Sequence, residues 1–383
     1  MKFLCAQEAL AEALATVGHA VPAKSTLPIL SNVLLEADAT GWLRLTATNL
    51  ELAIARQLAA TVSSAGRVTV PARLLSDYVA LLDRGKQVSL SLGPSGGKLH
   101  LACDRFEAHI ATLPADDFPP LAQATGGTCL EVDGAALKTA INQVVFAAAP
   151  DESRPVLAGV LVRLEPGMLT LAAADGYRLA VRSLELPQTT TTARWVVPAR
   201  TLVEVARCLP SAPGLPVTVS STASDQHLHI GLGATEITTR LIEGQFPDYE
   251  RIIPRDGATT VIVGTADLLQ ATRAATVFAR DDAHIVRLAC TPPPDDGTPA
   301  LGRLAVTGTS AERGDHAGQL EASVGGAAVQ IAFNGRYLRD ALEADGTTQV
   351  GLQFSGARQP GVLRSVGELE TAHLHVIMPM QRH

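Results

Sequence analysis

Three groups of residues have the types and spacing that chemistry uses. Gly93-Pro94-Ser95-Gly96-Gly97-Lys98-Leu99 approaches a phosphate-cradling loop, in which backbone N–H groups and a lysine hold phosphate oxygens. It is one residue short of G-x-x-x-x-G-K and lacks the hydroxyl residue that would meet magnesium. It is therefore read as a hairpin turn between two strands. His227-x-His229 and His373-x-His375 each put two imidazoles on one strand face, as a metal pair would. No cysteine or carboxylate cluster adjoins either pair in sequence, so no metal site and no cofactor are expected. Asp151-Glu152 and Asp281-Asp282 are paired acids read as loop charges that follow helices. No G-x-S-x-G or H-E-x-x-H occurs. The cysteines Cys5, Cys103, Cys129, Cys208 and Cys290 are odd in number, widely spaced and free of C-x-x-C. Reduced, buried thiols in a cytoplasmic protein are expected, not disulfides or structural zinc.

Composition narrows the classes further. The 383 residues carry 31 Lys and Arg against 38 Asp and Glu, a formal charge of −7. That excludes a generally basic nucleic-acid coat but not a local basic surface. Apolar residues at 46% suffice for substantial cores, and charged residues at 18% are too few for a disordered chain. Aromatics at 4% argue against stacking of single-stranded bases on aromatic platforms. No apolar run approaches the roughly 18 residues of a membrane span. Gln7, Glu8 and Glu12 interrupt the N-terminal apolar patch before it forms a signal-peptide core.

The elements that would position any site come in a threefold repeat. Val70-Pro71-Ala72-Arg73-Leu74-Leu75 recurs as Val197-Pro198-Ala199-Arg200-Thr201-Leu202, an offset of 127. Leu10 matches Leu137 and Leu30 matches Leu157 at the same offset, and Phe118-Pro119 matches Phe246-Pro247 at 128. Asn49 matches Asp175 at 126. The last third follows less closely, with Leu137 on Leu269, Asp175 on Ser310, Pro198 on Asn334 and Phe246-Pro247 on Met378-Pro379. The segment from Thr291 to Gly297 reads as an inserted turn. Each repeat predicts a helix after a short strand (Gln7 to Val17, Asp133 to Val145, Ala266 to Phe278), then strands. A second helix opens at the V-P-A-R site, with proline at its first helical position, or at Asn334, which caps Gly335 to Ala344. The fold class is α+β: three domains, 1–124, 129–254 and 259–383, each with two helices packed on antiparallel sheet.

Suppose the helices line a hole. At a spacing of roughly 8–10 Å, six helices leave an opening of about 9 Å and twelve leave about 28 Å. Only two chains joined head to tail then pass a DNA duplex.

The residues themselves are similar to a known family. Met1-Lys2-Phe3, Thr26-Leu27-Pro28-Ile29-Leu30-Ser31-Asn32, Val70-Pro71-Ala72-Arg73 and Thr112-Leu113-Pro114-Ala115-Asp116-Asp117-Phe118-Pro119 resemble segments of the bacterial sliding clamp, the DNA polymerase III beta subunit. So do Asp175-Gly176-Tyr177-Arg178-Leu179-Ala180, Gly244-Gln245-Phe246-Pro247-Asp248-Tyr249 and Val376-Ile377-Met378-Pro379-Met380. The likeness runs along essentially the whole chain.

The resemblance implies a non-catalytic homodimeric ring on double-stranded DNA, bound without regard to sequence. It also implies loading by a clamp loader, and use as a processivity factor by the DNA polymerase III alpha subunit, other polymerases and repair proteins. These partners would bring short linear motifs to a pocket of Leu157, Gly176, Tyr177, Arg178, Leu179, Pro247, Arg251, Ile252, Val376, Ile377, Met378, Pro379 and Met380, flanked by Asn334 and Tyr337. Its aliphatic and Met residues suit varied peptides, and Arg178 and Arg251 would hold peptide carbonyls or a carboxylate. DNA-facing candidates are Lys24, Arg73, Lys138, Arg154, Arg200, Arg273 and Arg336, for weak, salt-sensitive phosphate contacts. The dimer seam would join the edge strand at Arg105, Phe106 and Glu107 to Val277 and Phe278.

Ala174 and Tyr177 stand where the family often has Thr and His, and Gln381-Arg382-His383 extend past Met380. Two alternatives stand beside the clamp: a specialised paralogue with altered partner or inhibitor binding, and an enzyme built on repeated α+β domains.

Overall fold

The computed structural model describes residues 1–383 except 94–96, 123–125, 152, 187, 255, 280–283, 295–300, 311, 313, 368–371 and 381–383. Glu152, the pair Asp281-Asp282, the tip of the glycine-rich turn, part of the inserted turn and the tail after Met380 therefore lie outside the described residues.

The described residues include six α-helices: α1 (Gln7–Gly18), α2 (Ala72–Ala80), α3 (Gly134–Val144), α4 (Ala199–Cys208), α5 (Thr265–Phe278) and α6 (Gly335–Asp345). Each begins within two residues of its predicted start. The two prolines are a correction. Pro71 and Pro198 each close the strand before the helix, Gly66–Pro71 and Ala193–Pro198, instead of opening the helix. Pro71 is the N-cap of α2, with φ −54° and ψ 113°. The fixed φ of proline suits an extended residue as well as a helical one, and its missing N–H is harmless at a strand end.

The chain forms two compact units. One is Met1–Lys138 with Glu204–Leu241; the other is Thr139–Val203 with Ile242–His383. Two of the unit limits fall within α3 and α4, and the third follows the strand Thr235–Arg240.

In the first unit, α1 buries Leu10, Ala13, Leu14 and Val17, the stripe its spacing predicts. Gln7 Nε2 donates to Val79 O at 2.8 Å and ties α1 to α2. An antiparallel sheet of five strands runs in the order Thr61–Ser64, Lys2–Ala6, Gln87–Leu92, Lys98–Cys103, Phe106–Ala111. The glycine-rich turn thus joins two antiparallel neighbours, as a hairpin does. A second sheet of eight strands spans two repeats through the pairing of Leu52–Ala59 with Thr235–Arg240.

The second unit repeats that junction. Arg178–Leu186 pairs antiparallel with His373–Ile377 within a sheet of twelve strands, so that Leu179 faces Val376 and Arg182 faces His373. One core holds Leu161, Ala172, Leu179, Val181, Phe246, Tyr249, Val362 and Val376. A larger one packs α5 and α6 on the third repeat's strands through Leu268, Ala275, Leu338 and Leu342. There α5 lies close to its sheet: a Cβ at Gly308 would come within 2.2 Å of Ala275 O. Only glycine admits that approach.

Candidate partner-peptide groove and nucleic-acid surface

The groove is organised by a turn. Asp175, buried at the end of the strand Gly167–Ala174, accepts the N–H groups of Tyr177 (2.8 Å) and Arg178 (3.0 Å) through Oδ1. Gly176 holds φ +95°, a conformation glycine reaches without strain. Arg154 Nη1 donates to Asp175 O at 2.9 Å from the other side. The turn thereby presents Tyr177, 61% exposed.

The chain's last strand closes the arrangement. Met378 N donates to Tyr177 O and Met380 N to Ala332 O, both at 2.8 Å. Met378 is 44% exposed and Ile252 is exposed too, so both offer apolar surface beside Tyr177's turn or on the segment after Pro247. Leu157, Leu179 and Val376 meet in one cluster, with Leu157 only partly buried. Leu179, Val376 and Ile377 are almost completely buried. Leu179 and Val376 point into one core and Ile377 into the other, because successive residues of a strand face opposite ways.

Arg178 departs from its expected role as a free peptide clamp. Its guanidinium donates from Nε to Asp175 Oδ2 (3.1 Å), from Nη1 to Asp340 Oδ2 (2.8 Å) and from Nη2 to Phe146 O (2.6 Å). It stacks on Tyr337, 4.4 Å from the ring centroid, and on Phe146 at 5.3 Å. Most of its donors are used within the chain, so Arg178 is a wall that orders the turn. Arg251 pairs with Asp248 at 2.7 Å on an exposed turn. Asn334 caps α6 by accepting the N–H of Arg336 at 2.9 Å, as its position predicts. Pro247 is exposed, and Pro379 and Met380 are half-buried.

Among the cationic candidates, Lys24, Arg73 and Arg336 are exposed, and Arg200 lies exposed on α4. Arg273, on α5, pairs with Glu343 of α6 at 2.8 Å. Two further candidates also have partners within the chain. Lys138 Nζ reaches Leu209 O (3.1 Å) and Ser211 Oγ (2.9 Å) beyond the end of α4, where a cation complements the helix's free carbonyls. Arg154 is held by Asp175 O and by Asp151 at 3.6 Å. Like Arg273, both carry a contact inside the chain, and Arg154 keeps 44% of its side chain exposed.

At the expected seam, Phe106 is partly exposed on Phe106–Ala111, which ends its sheet, with Arg105 lying over the ring at 5.2 Å. Glu107 and Val277 are exposed, and Phe278 stacks on His316 with centroids 5.9 Å apart.

Sequence reasoning missed a buried polar cluster behind the groove. Ser365 Oγ lies 2.6 Å from Asp345 Oδ1 and 3.1 Å from His373 Nδ1, while Arg182 is also buried. Burial pushes the His373 imidazole down to about 4, against the opposing pull of Asp345. Burial, His373 and Arg178 hold His375 well below the usual range. The only signal was the H-x-H spacing, which puts both imidazoles on one strand face but names none of their partners. Among the described residues no group of three or more His, Cys, Asp or Glu is placed to hold a metal ion. The cysteines are free; Cys5, Cys103 and Cys290 are buried, but Cys129 is exposed, contrary to expectation. It lies on the strand Gly126–Asp133, at a position that faces solvent. No described helix is long and apolar enough to cross a membrane.

An α+β chain of repeated antiparallel units, in which the second repeat's turn bonds the residue after the third repeat's last strand, defines the DNA-clamp class. Family models agree along nearly all of it: the N-terminal, central and C-terminal domains of the DNA polymerase III beta subunit match residues 1–122, 131–248 and 250–381. The chain belongs to this family, the bacterial beta sliding clamps. It is 32% identical to the beta sliding clamp of Synechococcus elongatus over 384 residues, covering 100% of this chain and 99% of that one. It is 33% identical to that of Synechocystis over 401 residues, again covering 100% and 99%. The crystal structure of the beta subunit from Pseudomonas aeruginosa superposes with a TM-score of 0.91 at 28% identity, and the Bacillus subtilis clamp with 0.92 at 25%. Both comparisons cover the whole of each chain. One P. aeruginosa structure carries bound griselimycin.

Proposed function

We propose that two copies of this chain, joined head to tail, close a ring that slides on duplex DNA and tethers DNA polymerases without catalysing any covalent step. Domains 1–124, 129–254 and 259–383 each supply two helices to the lining. Its cations, Lys24, Arg73, Arg200, Arg273 and Arg336, touch phosphates weakly. Mobility along DNA needs contacts that read no bases. The edge strand with Arg105, Phe106 and Glu107 meets Val277 and Phe278 of a second copy, since an open strand edge is completed by pairing. The DNA polymerase III alpha subunit, the clamp loader, other polymerases and repair proteins bind through short motifs at Tyr177, Ile252 and Met378. The protein acts in the cytoplasm and holds no cofactor of its own.

The observation that carries this reading is the bond from Met378 N to Tyr177 O. It sets two exposed apolar side chains, from two different repeats, beside one preformed turn. The test is topological. Clamp loaded onto nicked circular duplex should co-elute with it and be lost when the circle is linearised. Retention after cutting, or no retention before it, overturns the ring. Nothing in the groove favours the paralogue reading.

A further inference from the structure

A chain of alternating charges runs from the helix pair α5–α6 to the groove. Arg273 Nη2 holds Glu343 Oε1 at 2.8 Å. The same oxygen lies 3.6 Å from Arg339 Nε. Arg339 Nη2 holds Asp340 Oδ1, and Asp340 Oδ2 holds Arg178 Nη1, both at 2.8 Å. Arg178 Nε ends the chain on Asp175 Oδ2 at 3.1 Å. Side-chain exposure falls at each step, from 58% at Arg273 to 6% at Asp175. Screening by salt and water therefore acts on the Arg273 end and hardly on the groove end.

One joint in this chain is left unsatisfied. Arg339 Nε is buried and has no hydrogen-bond partner, although Glu343 Oε1 is 3.6 Å away. An unmet buried donor is costly, and a charge-assisted bond to Glu343 would satisfy it. Arg273 holds that oxygen instead. When Arg273 is drawn to another anion, Glu343 is free to close on Arg339.

We infer that Glu343 and Arg339 are positioning residues that link anion capture at Arg273 to the set of Arg178, so that clamp on DNA binds partner peptides more tightly than free clamp. The sign follows from the alternation. A phosphate on Arg273 releases Glu343 to Arg339. Arg339 then shares less of itself with Asp340, and Asp340 gives more to Arg178. Arg178 is held more firmly against Asp175, Tyr337 and Phe146, and the turn bearing Tyr177 is better ordered before a peptide arrives. Linkage makes the effect reciprocal, so peptide also tightens the hold on DNA.

The inference rests on the clamp reading for its DNA arm, and the experiment separates the two. A fluorescein-labelled clamp-binding peptide of the DNA polymerase III alpha subunit is titrated by anisotropy into full-length protein, free and loaded on nicked circular duplex. Loading should lower the peptide Kd by about fivefold, the low end of the usual range of coupling between sites. On free protein, Arg273→Gln should lower Kd and Glu343→Gln should raise it, and both should abolish the response to DNA. Opposite shifts from adjacent members of one ion pair are a signature that simple loss of a surface pair does not produce. A second readout needs neither DNA nor peptide. With fluorotyrosine incorporated, the 19F resonance of Tyr337, assigned by Tyr337→Phe, should move in opposite directions in the two variants. Shifts of the same sign, no shift, or an unchanged DNA response in Glu343→Gln overturns the inference. Failure to load on the circle counts against the clamp reading alone, because the 19F and free-protein shifts stand without it.

Discussion

The ring of His375 meets that of His373 edge-on, with centroids 4.4 Å apart, and both imidazoles are buried under α3 and α6. Arg178 and Arg182 of the neighbouring strand, Asp345 of α6 and Ser365 surround them. One carboxylate among two arginines leaves little room for an added proton. Both histidines are therefore neutral in the fold. A group whose folded pKa is depressed contributes stability above its unfolded pKa, near 6.5, and loses it as pH falls toward the folded value, about 4 for His373. The urea midpoint should be flat above pH 7 and should drop between about pH 6.5 and pH 4, with His373 alone contributing about 3 kcal/mol. His373→Phe should flatten that drop. An equally steep drop in the variant would assign it to other groups.

Arg178 is the second point at which stability and groove geometry meet. Arg178→Met would leave the buried Asp175 and the half-buried Asp340 without their shared cation. Loss of one partner from such a cluster costs about 3 kcal/mol. Arg178→Lys should recover only part, since one ammonium cannot span Asp175, Asp340 and Phe146 O together. Chemical denaturation of the three proteins should rank wild type, Lys, Met.

Rim and floor of the groove should respond differently to substitution. Met378→Asp places a charge on an exposed position and should weaken peptide binding by about tenfold or more while leaving the thermal midpoint nearly unchanged. Leu179→Ala removes a fully buried side chain and should destabilise the protein by about 2–5 kcal/mol. Normal peptide affinity in Met378→Asp would place the groove elsewhere.

Thiol alkylation reads the burial of the cysteines. Cys5 is pushed up to about 12 and Cys208 and Cys290 to about 11, chiefly by burial. At pH 8 these thiols are almost wholly protonated and unreactive. Cys129 is exposed. Mass spectrometry of native protein after brief maleimide treatment should show one fast adduct, on Cys129, and Cys129→Ser should remove it.

Much of this architecture was legible in the chain. Helices α1, α2 and α4 follow from apolar spacing and the recurring V-P-A-R, and Asn334 announces the start of α6 because its side chain can reach a free N–H. The proposed groove's rim was drawn from short segments such as Asp175-Gly176-Tyr177 and Met378-Pro379-Met380. Their local geometry is written in residue type: a carboxylate that gathers two N–H groups and a glycine at positive φ.

Partnerships between distant residues were not legible. Lys138 and Arg154 read as free cations, yet one faces the end of α4 and the other the carbonyl of Asp175. Leu179 and Met378 read alike as apolar groove residues, and only the pairing of Arg178–Leu186 with His373–Ile377 sends one to the floor and leaves the other at the rim. His373 and His375 were set aside as a metal pair, but their partners Asp345 and Ser365 come from other elements and only the fold supplies them. Periodicity and turn chemistry are local, and they determined the repeats and the class of fold. Where a charge finds its counter-charge depends on contacts between residues as far apart as Arg178 and Asp340. Those contacts exist only once the sheet and helices have closed around them.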